Sequence, residues 1–514
     1  MALGLALFYR GGGLGPAALG IGLFGGLALL RPDLGLLFVP LTAPLYLIPA
    51  AIQGLRADSA DPFRVPLHEA ALLAVAAATA ANWLWRRVTD RRSTTDTRRN
   101  TAELLWTYAP HALFLVAGAL GAAIAVERAP ALREFRWLIV EPLIFYTLLK
   151  YHSARHLDGR WKTEGERRLV DRSSSVLRPP SSFNHNLLIA FVLSGAIAGL
   201  LGLLQYAGRD LVPLLGRKQC FAPDGAACAN IVADGGVRRV LSVYGSPNNL
   251  GLYLGRVWPL AAALAICDWR FWILDLRGQP PKIQNPKSKM PDSWFFALCS
   301  LLCLGGIVVS FSRGAWLGAI AAGAVLALGL IRDQRSNVRT FQRSNVRRHW
   351  LLGLAVAAVV LGGLALSLRG DVTAGSTPVR LLLWREALGY IRQHPFGIGL
   401  DQFVHYHDPD SGLSLIDPAL IGTSEQYAAH PHNLVLDIWL RLGPLGLAAF
   451  AWLLARFFRA ALPRVSDPVA LGALAAIVAA LAHGLVDNFY FVPDLAVAFW
   501  LLIELVENVG RLER

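Results

Sequence analysis

The sequence predicts an all-α integral membrane protein with about 12 (11–13) transmembrane helices and one long, partly helical extracytoplasmic loop. Of its 514 residues, 54% are hydrophobic and 16% are charged, and the mean hydropathy is +0.45. Soluble chains average about 25% charged residues, and they cannot bury this much apolar surface. The apolar residues form long continuous runs without a period of two, which indicates helices and argues against a β-barrel.

Each spanning helix needs about 20 apolar residues, because one residue adds about 1.5 Å along the helix axis. Such runs occur at 15–30, 34–52, 66–85, 103–125, 136–151, 187–207, 247–267, 293–311, 314–331, 350–367, 432–458, 468–486 and 489–507. The first two runs also fit one span followed by a re-entrant segment. No basic region precedes the first apolar stretch, so a cleavable signal peptide is not expected.

The net charge of +14 is concentrated in the connections between apolar runs. The Lys- and Arg-rich connections are 86–99, 152–186, 268–291 and 332–348. All four fall on one side of the predicted helices, and the positive-inside rule makes that side cytoplasmic. Loops 208–246 and 368–431 are then extracytoplasmic. Because the charge follows this membrane pattern, a nucleic-acid partner is not expected.

Loop 368–431 is the longest segment without a predicted span. Loops of this length are uncommon unless they are functional or disordered, and its aromatic residues argue for a packed segment. An amphipathic helix is predicted over 378–392, ending at His394-Pro395. Its apolar positions are Leu381, Trp384, Leu388 and Ile391. In loop 208–246, Cys220 and Cys228 could form a disulfide, but their spacing alone does not decide whether they do.

Three side chains at predicted membrane boundaries are candidates for chemistry. Arg313 separates two apolar runs, Arg380 opens the amphipathic stretch, and His432 begins the span after the long loop. Each also has a structural alternative: a snorkelling arginine, a solvated charge and a packed histidine. Guanidinium groups bind phosphate oxygens with two parallel hydrogen bonds, and a neutral imidazole can take a proton from a hydroxyl group. Together they suit a lipid-linked diphosphate and an acceptor.

No metal ion or cofactor is expected. The His, Asp and Glu residues of 405–425 lack a compact ligand spacing such as HExxH. These residues are His405, His407, Asp408, Asp410, Asp417 and Glu425. The chain also lacks a Walker loop, a nucleophile elbow and a dinucleotide fingerprint.

Several segments together resemble the O-antigen ligase/polymerase superfamily. They are YGSPNNLGLYLGRVWPL (244–260), SFSRGAWLG (310–318), TPVRLLLWREALGYIRQHPFGIGLDQF (377–403), HPHNLVLDIWLRLGPLG (430–446) and HGLVDNFYF (483–491). The resemblance implies metal-independent transfer of a glycan from undecaprenyl diphosphate to a glycan, lipid or protein acceptor. The location implied for this reaction is the outer face of a bacterial cytoplasmic membrane.

The resemblance assigns the family's two essential arginines to Arg313 and Arg380, and its essential histidine to His432. The further candidates, for substrate binding, are Arg385, Arg392, His430, Asn433 and Asn248. The predicted division is an N-terminal helical part (1–240), a catalytic region (241–490) and a last helix with its tail (491–514). A repeat-unit polymerase, a small-anion transporter and a non-catalytic scaffold are the alternatives.

Overall fold

A computed structural model of the chain describes residues 1–53, 63–89, 101–157, 182–219, 231–234, 237–276, 291–336, 376–423 and 425–512. The α-helices are α1 (Ala2–Arg10), α2 (Leu14–Leu30), α3 (Pro32–Leu36), α4 (Phe38–Thr42), α5 (Leu67–Thr89), α6 (Thr101–Ile124), α7 (Arg128–Glu134), α8 (Glu141–Leu157), α9 (Ser182–Tyr206), α10 (Val212–Leu215), α11 (Pro247–Leu276), α12 (Pro291–Ser310), α13 (Arg313–Ser336), α14 (Ser376–Gln393), α15 (Phe403–His407), α16 (Leu434–Ala461), α17 (Pro468–Gly484) and α18 (Pro493–Leu512).

Short 3₁₀ and π elements and two hairpins complete the described secondary structure. A π-helix covers Phe135–Val140, and 3₁₀ turns cover Ala43–Leu45, Pro409–Ser411, Pro418–Leu420 and Leu462–Arg464. The strands are β1 (Ala50–Ile52), β2 (Phe63–Val65), β3 (Ile231–Asp234) and β4 (Val237–Val240). β1 pairs with β2 and β3 pairs with β4, each pair antiparallel.

Helices dominate the described chain, as the composition predicts. Six of these helices are long and apolar enough to cross a membrane: Leu67–Trp85, Phe183–Tyr206, Pro247–Ile266, Ser293–Ser310, Arg313–Ile331 and Leu434–Arg464. Shorter apolar helices cover Leu14–Leu30, Pro32–Leu45, Tyr108–Ile124 and Pro468–Gly484. The helices therefore indicate a multi-pass membrane protein, but they do not confirm a count of about 12 spans.

Three of the predicted spans differ from simple membrane helices. Run 34–52 is divided into α3, α4, a 3₁₀ turn and β1, because Pro40, Pro44 and Pro49 remove backbone donors and interrupt the helical ladder. Run 136–151 begins with the π-helix. The helix predicted over 489–507 begins at Pro493 as α18, and most of its length is buried. Span 350–367, residues 368–375 and both Cys220 and Cys228 lie outside the described residues.

Small residues bring the helices of the C-terminal half together. A side chain on Gly318 of α13 would lie 2.7 Å from the carbonyl oxygen of Ala479 in α17. A side chain on Gly472 of α17 would lie 2.7 Å from Cα of Leu260 in α11. Close backbone approach through small residues is the usual way in which helices associate where lipid weakens the hydrophobic effect. α13, α17 and α11 therefore form one tightly packed group.

The described part of the long loop, 376–423 and 425–431, folds over the start of α16 around a small core of its own. That core consists of Leu383, Ala387, Tyr390, Ile398, Phe403, Tyr406, Leu420, Ala428 and Leu440. The predicted helix is present as α14, but its packed face carries Leu383, Ala387 and Tyr390. Leu381 and Leu388, on the predicted apolar face, are 50% and 43% exposed. The loop is partly helical, as predicted.

A proline kink in α16 anchors this loop. Pro444 has no backbone N–H, so the carbonyl of Leu440 lacks its usual partner four residues on. The backbone N–H groups of Ile398 and Gly399 donate to that carbonyl at 2.7 and 3.1 Å. Gly443 has a φ of 66° and departs from helical geometry at the same point. The loop therefore docks where the helix leaves an acceptor free.

Candidate active site

His432 lies at the junction of the loop and α16, between two carboxylates. Its Nδ1 is 3.2 Å from Oδ1 of Asp487, and its Nε2 is 3.3 Å from Oε2 of Glu425. Asp487 is buried in the turn between α17 and α18, whereas Glu425 belongs to the loop and is one-third exposed. Because a carboxylate oxygen accepts hydrogen bonds, both ring nitrogens of His432 act as donors. The ring is therefore an imidazolium in this arrangement.

The electrostatics of the cluster agree with this geometry. Burial alone would lower the pKa of His432, but the charge and hydrogen bond of Asp487, with those of Glu425, raise it to about 9. The hydrogen bond to His432 lowers the pKa of Glu425. Burial would raise the pKa of Asp487, yet the charge and hydrogen bond of His432 hold it below its ordinary value. For His430, burial and then the charge of His432 lower the pKa to about 3, so this ring is neutral.

The backbone around His432 is held in an uncommon conformation. His432 has a φ of 50°, in the left-handed region, and its N–H donates to Nδ1 of His430 at 3.2 Å. The indole of Trp384 in α14 donates to its carbonyl oxygen at 3.4 Å. Left-handed backbone at a residue other than glycine is strained, and such residues concentrate at functional sites.

Asn433 serves as the N-cap of α16. Its side-chain oxygen accepts from the N–H groups of Val435 and Leu436, at 3.0 and 3.2 Å. Its amide nitrogen donates to the carbonyl of Leu485 at 3.1 Å. The side chain therefore terminates the helix in the usual way for Asn and also ties His432 to the turn that carries Asp487.

Arg313 is the first residue of α13 and is half-buried. The next residue, Gly314, faces His483 so closely that an added Cβ would lie 2.3 Å from the ring. Nε2 of His483 is in turn 3.8 Å from Oδ2 of Asp487. The start of α13 is thus joined to the His432 cluster through two contacts, although 119 positions separate Arg313 from His432 in the printed sequence.

Arg380 is half-buried on α14, in line with Leu383, Ala387 and Tyr390 of the packed face. Its positive charge acts on Glu425, where it helps to lower the pKa. Arg385 and Arg392 are exposed on the same helix. At about 100° per residue, they point roughly 140° and 120° away from the direction of Arg380. The structure therefore brings Arg380 to the cluster and directs Arg385 and Arg392 elsewhere.

Asn248 lies in the first turn of α11. Its side-chain oxygen accepts from Arg239 of β4 at 3.2 Å, and Arg239 also donates to the carbonyl of Ser310 at 3.2 Å. Gly251, one turn further along α11, packs against Ser312 and Ala315. The predicted loop 208–246 therefore supports the backbone that leads into Arg313.

A second buried histidine fixes the segment that carries Glu425. Nδ1 of His407 is 2.9 and 3.0 Å from the two carboxylate oxygens of Glu386, and Nε2 is 2.8 Å from the carbonyl oxygen of Glu425. Both nitrogens face acceptors, so this ring is also doubly protonated. Burial would lower the pKa of His407, but the hydrogen bond and charge of Glu386 raise it. The ion pair therefore holds the backbone of Glu425 beside His432.

The sequence analysis did not select Glu425, Asp487 or His483 as site residues. Glu425 was considered only within a dispersed set of possible metal ligands. Asp487 and His483 belong to the HGLVDNFYF segment that contributes to the family resemblance. An acidic residue between two apolar runs, where charge is costly, was the available signal for Asp487.

The comparisons with known proteins agree with the segments that form this site. Residues 298–451 match a family model described as O-Antigen ligase. The match contains Arg313, Arg380 and His432 and ends before His483. No curated protein matches the chain. Residues 298–451 are therefore similar to an O-antigen ligase domain, which confirms the resemblance of the sequence to the O-antigen ligase superfamily.

Proposed function

We propose that the protein transfers a glycan from undecaprenyl diphosphate to an acceptor at the outer face of the bacterial cytoplasmic membrane. The O-antigen ligase domain supports a ligase- or polymerase-type reaction. The observation that carries the proposal is the approach of three distant segments: Arg380 of α14, His432 before α16 and the start of α13 at Arg313. The Lys- and Arg-rich connections support an outward-facing site.

The two arginines would bind the diphosphate of the donor. A guanidinium group keeps its charge when partly buried and matches the phosphate oxygens with two parallel hydrogen bonds. Arg313 also stands at the N-terminus of α13, where the backbone N–H groups favour a negatively charged ligand. As the glycosidic carbon leaves the phosphate oxygen, the charge that develops on the diphosphate would be stabilised by Arg313 and Arg380. The step needs no metal ion.

His432 would act as the base that activates the acceptor. An acceptor hydroxyl would replace Glu425 at Nε2 and give its proton to the fraction of rings that have lost the Nε2 proton. The acceptor oxygen then bonds to the anomeric carbon, and undecaprenyl diphosphate departs with the bonding electron pair. Asp487 would keep Nδ1 protonated and the ring oriented, which raises the basicity of Nε2.

The remaining predicted residues are proposed to bind the substrates around this centre, within the catalytic region 241–490. Exposed Arg385 and Arg392 would meet the glycan or the lipid headgroups at the rim. His430 would contact the acceptor beside His432. Asn433 and Asn248 would act mainly through the backbone that they hold, because their side chains form hydrogen bonds with α16, Leu485 and Arg239.

A transfer assay in proteoliposomes tests this function. The donor is an oligosaccharide on undecaprenyl diphosphate, and lipid, glycan and peptide acceptors are supplied separately. His432→Ala is expected to lower the rate at least about 100-fold, because general base catalysis contributes that much. Arg313→Lys keeps the charge but loses the paired hydrogen bonds, so it should lose most of the activity. Arg385→Lys is the matched variant, with a much smaller expected loss.

The products also separate the two family activities. A single addition to the acceptor indicates a ligase, whereas a ladder of repeat units indicates a polymerase. Wild-type rates in both Arg313→Lys and His432→Ala, with all proteins inserted at equal amounts, would contradict the mechanism.

A further inference from the structure

Two buried polar atoms beneath His432 face each other without hydrogen-bond partners among the described residues. They are Oδ2 of Asp487 and Nε2 of His483, 3.8 Å apart. Both side chains are only 3% exposed. Buried carboxylate and imidazole groups are nearly always satisfied, so an orphaned pair of this kind indicates a missing occupant. The separation exceeds a hydrogen bond, and it falls within the distance that two ligands of one ion can span.

The same carboxylate belongs to a compact set of nitrogen and oxygen donors. His430, His432 and Asp487 each offer one ligand atom, and these atoms lie within 4.8 Å of one another. Around a tetrahedral Zn²⁺, ligand atoms at about 2.0–2.1 Å from the ion are roughly 3.3 Å apart. The distance from His432 Nδ1 to Asp487 Oδ1 is 3.2 Å, and that from His483 Nε2 to Asp487 Oδ2 is 3.8 Å. These two distances are therefore close to tetrahedral spacing, and the remaining donors lie near enough to join them after a rearrangement of the side chains.

The backbone keeps these donors in place before any ligand arrives. The left-handed φ of 50° at His432 turns its ring towards His430, and the two ring centroids are 4.4 Å apart. The N–H of Asn488 donates to Oδ1 of Asp487 at 2.8 Å and orients the carboxylate. Gly314 leaves room for the ring of His483. Outer contacts of this kind are what tune the ligands of a metal site.

We propose that His430, His432 and Asp487, with His483 as fourth ligand, bind a Zn²⁺-like transition-metal ion in the substrate-free protein, and that the ion inhibits transfer. The inhibitory part rests on the proposed function. An ion at Nδ1 of His432 displaces the Nδ1 proton and leaves the remaining ring proton on Nε2, so Nε2 cannot accept a proton from the acceptor hydroxyl. Imidazole nitrogen with a carboxylate oxygen is a usual donor set for zinc, whereas Ca²⁺ and Mg²⁺ prefer oxygen alone.

Charged groups of both signs surround the cluster. Asp487 and Glu425 attract a cation, while Arg441 acts on His430 and Arg380 acts on Glu425 with positive charge. An anionic donor would bring its own negative charge to the arginines and would also compete for the same space. The structure therefore assigns the ion to the resting protein and not to the complex with substrate.

Direct binding tests the site without any transfer assay. The protein, purified without a histidine tag and freed of metal by a chelator, is titrated with ZnCl₂ against a zinc-binding fluorophore. One equivalent should bind, and His430→Ala and Asp487→Asn should each weaken the affinity by at least about 10-fold. His405→Ala, a loop histidine outside the cluster, should bind zinc like wild type. If Asp487→Asn does not fold, His483→Gln takes its place.

Wild-type affinity in His430→Ala together with Asp487→Asn or His483→Gln would overturn the site. Failure of the wild type to bind one equivalent of zinc would also overturn the site. A water molecule or a proton would then lie between Asp487 and His483. In the transfer assay, ZnCl₂ should inhibit the wild type reversibly, with recovery on chelation, and stimulation would overturn the inhibitory role. Zinc binding by a protein without transfer activity would refute the proposed function and leave the site intact.

Discussion

Substitution of Gly397 by alanine should detach the loop from the kink of α16. Gly397 has a φ of +94°, and a Cβ there would lie 2.7 Å from the carbonyl oxygen of Leu440 and 2.8 Å from that of Trp439. Both are backbone atoms and cannot move aside as a flexible side chain does. The substitution must therefore displace the segment whose next two N–H groups bond to Leu440.

The size of the effect follows from two terms. Left-handed backbone costs an alanine about 1–2 kcal/mol. Leaving the buried carbonyl of Leu440 unsatisfied costs about 1–3 kcal/mol more. Since about 1.4 kcal/mol corresponds to a factor of ten, a combined cost of roughly 2–5 kcal/mol makes local opening about 30- to 4,000-fold more frequent. The amides of Ile398 and Gly399 report this opening directly.

Hydrogen exchange with mass spectrometry of the peptide covering 396–403 is the assay. Gly412→Ala is the matched control, because Gly412 also has a positive φ, +72°, but has nothing within 4 Å of an added Cβ. Faster exchange of 396–403 is expected in Gly397→Ala and not in Gly412→Ala. Equal exchange of this peptide in the two variants would refute the idea that close approach to α16 holds the loop.

Two further predictions concern the polar interior of the loop. In His407→Gln, the loss of thermal stability relative to wild type should be large near pH 6 and should shrink as the pH rises through the raised pKa of His407. Glu386 raises the pKa of His407 in the folded protein. The stability that the protonated ring contributes is therefore complete below the ordinary pKa of about 6.5 and is lost as the pH rises through the raised pKa. A difference in stability between variant and wild type that grows with pH would contradict this. Tyr390→Phe should destabilise the loop by about 1–3 kcal/mol, because the hydroxyl contacts Glu386 at 2.8 Å and accepts from the N–H of Leu415 at 2.9 Å. Denaturation of the purified Tyr390→Phe variant measures this loss of stability. An unchanged midpoint would show that the hydroxyl group does not stabilise the loop.

Local patterns predicted much of the loop. The spacing of apolar residues and His394-Pro395 predicted a helix over 378–392, and α14 covers Ser376–Gln393. Its packed face was less predictable. Leu381 and Leu388 look like core residues, but the core forms on the side of Leu383 and Tyr390, where tertiary contacts with the rest of the loop decide burial.

Hydropathy was least informative where prolines or long-range contacts decide the structure. A window over 34–52 is apolar throughout, yet Pro40 and its neighbours stop a continuous helix. Likewise, no local pattern pairs His432 with Asp487, since the contact depends on the packing of segments far apart in sequence, including the hydrogen bond from Asn433 to Leu485. A charge at a helix boundary could indicate each residue as a candidate, but it could not predict that the two residues form a contact.

The contact between His432 and Asp487 also has a consequence for biosynthesis. Translation proceeds at about 5–20 residues per second, so the roughly 170 residues between Arg313 and Asp487 take on the order of 10–35 s to follow. Until then, the nascent chain has Arg313 in place but lacks the carboxylate that orients His432. The newly inserted protein therefore lacks the contact that orients His432 until the turn after α17 has been synthesised.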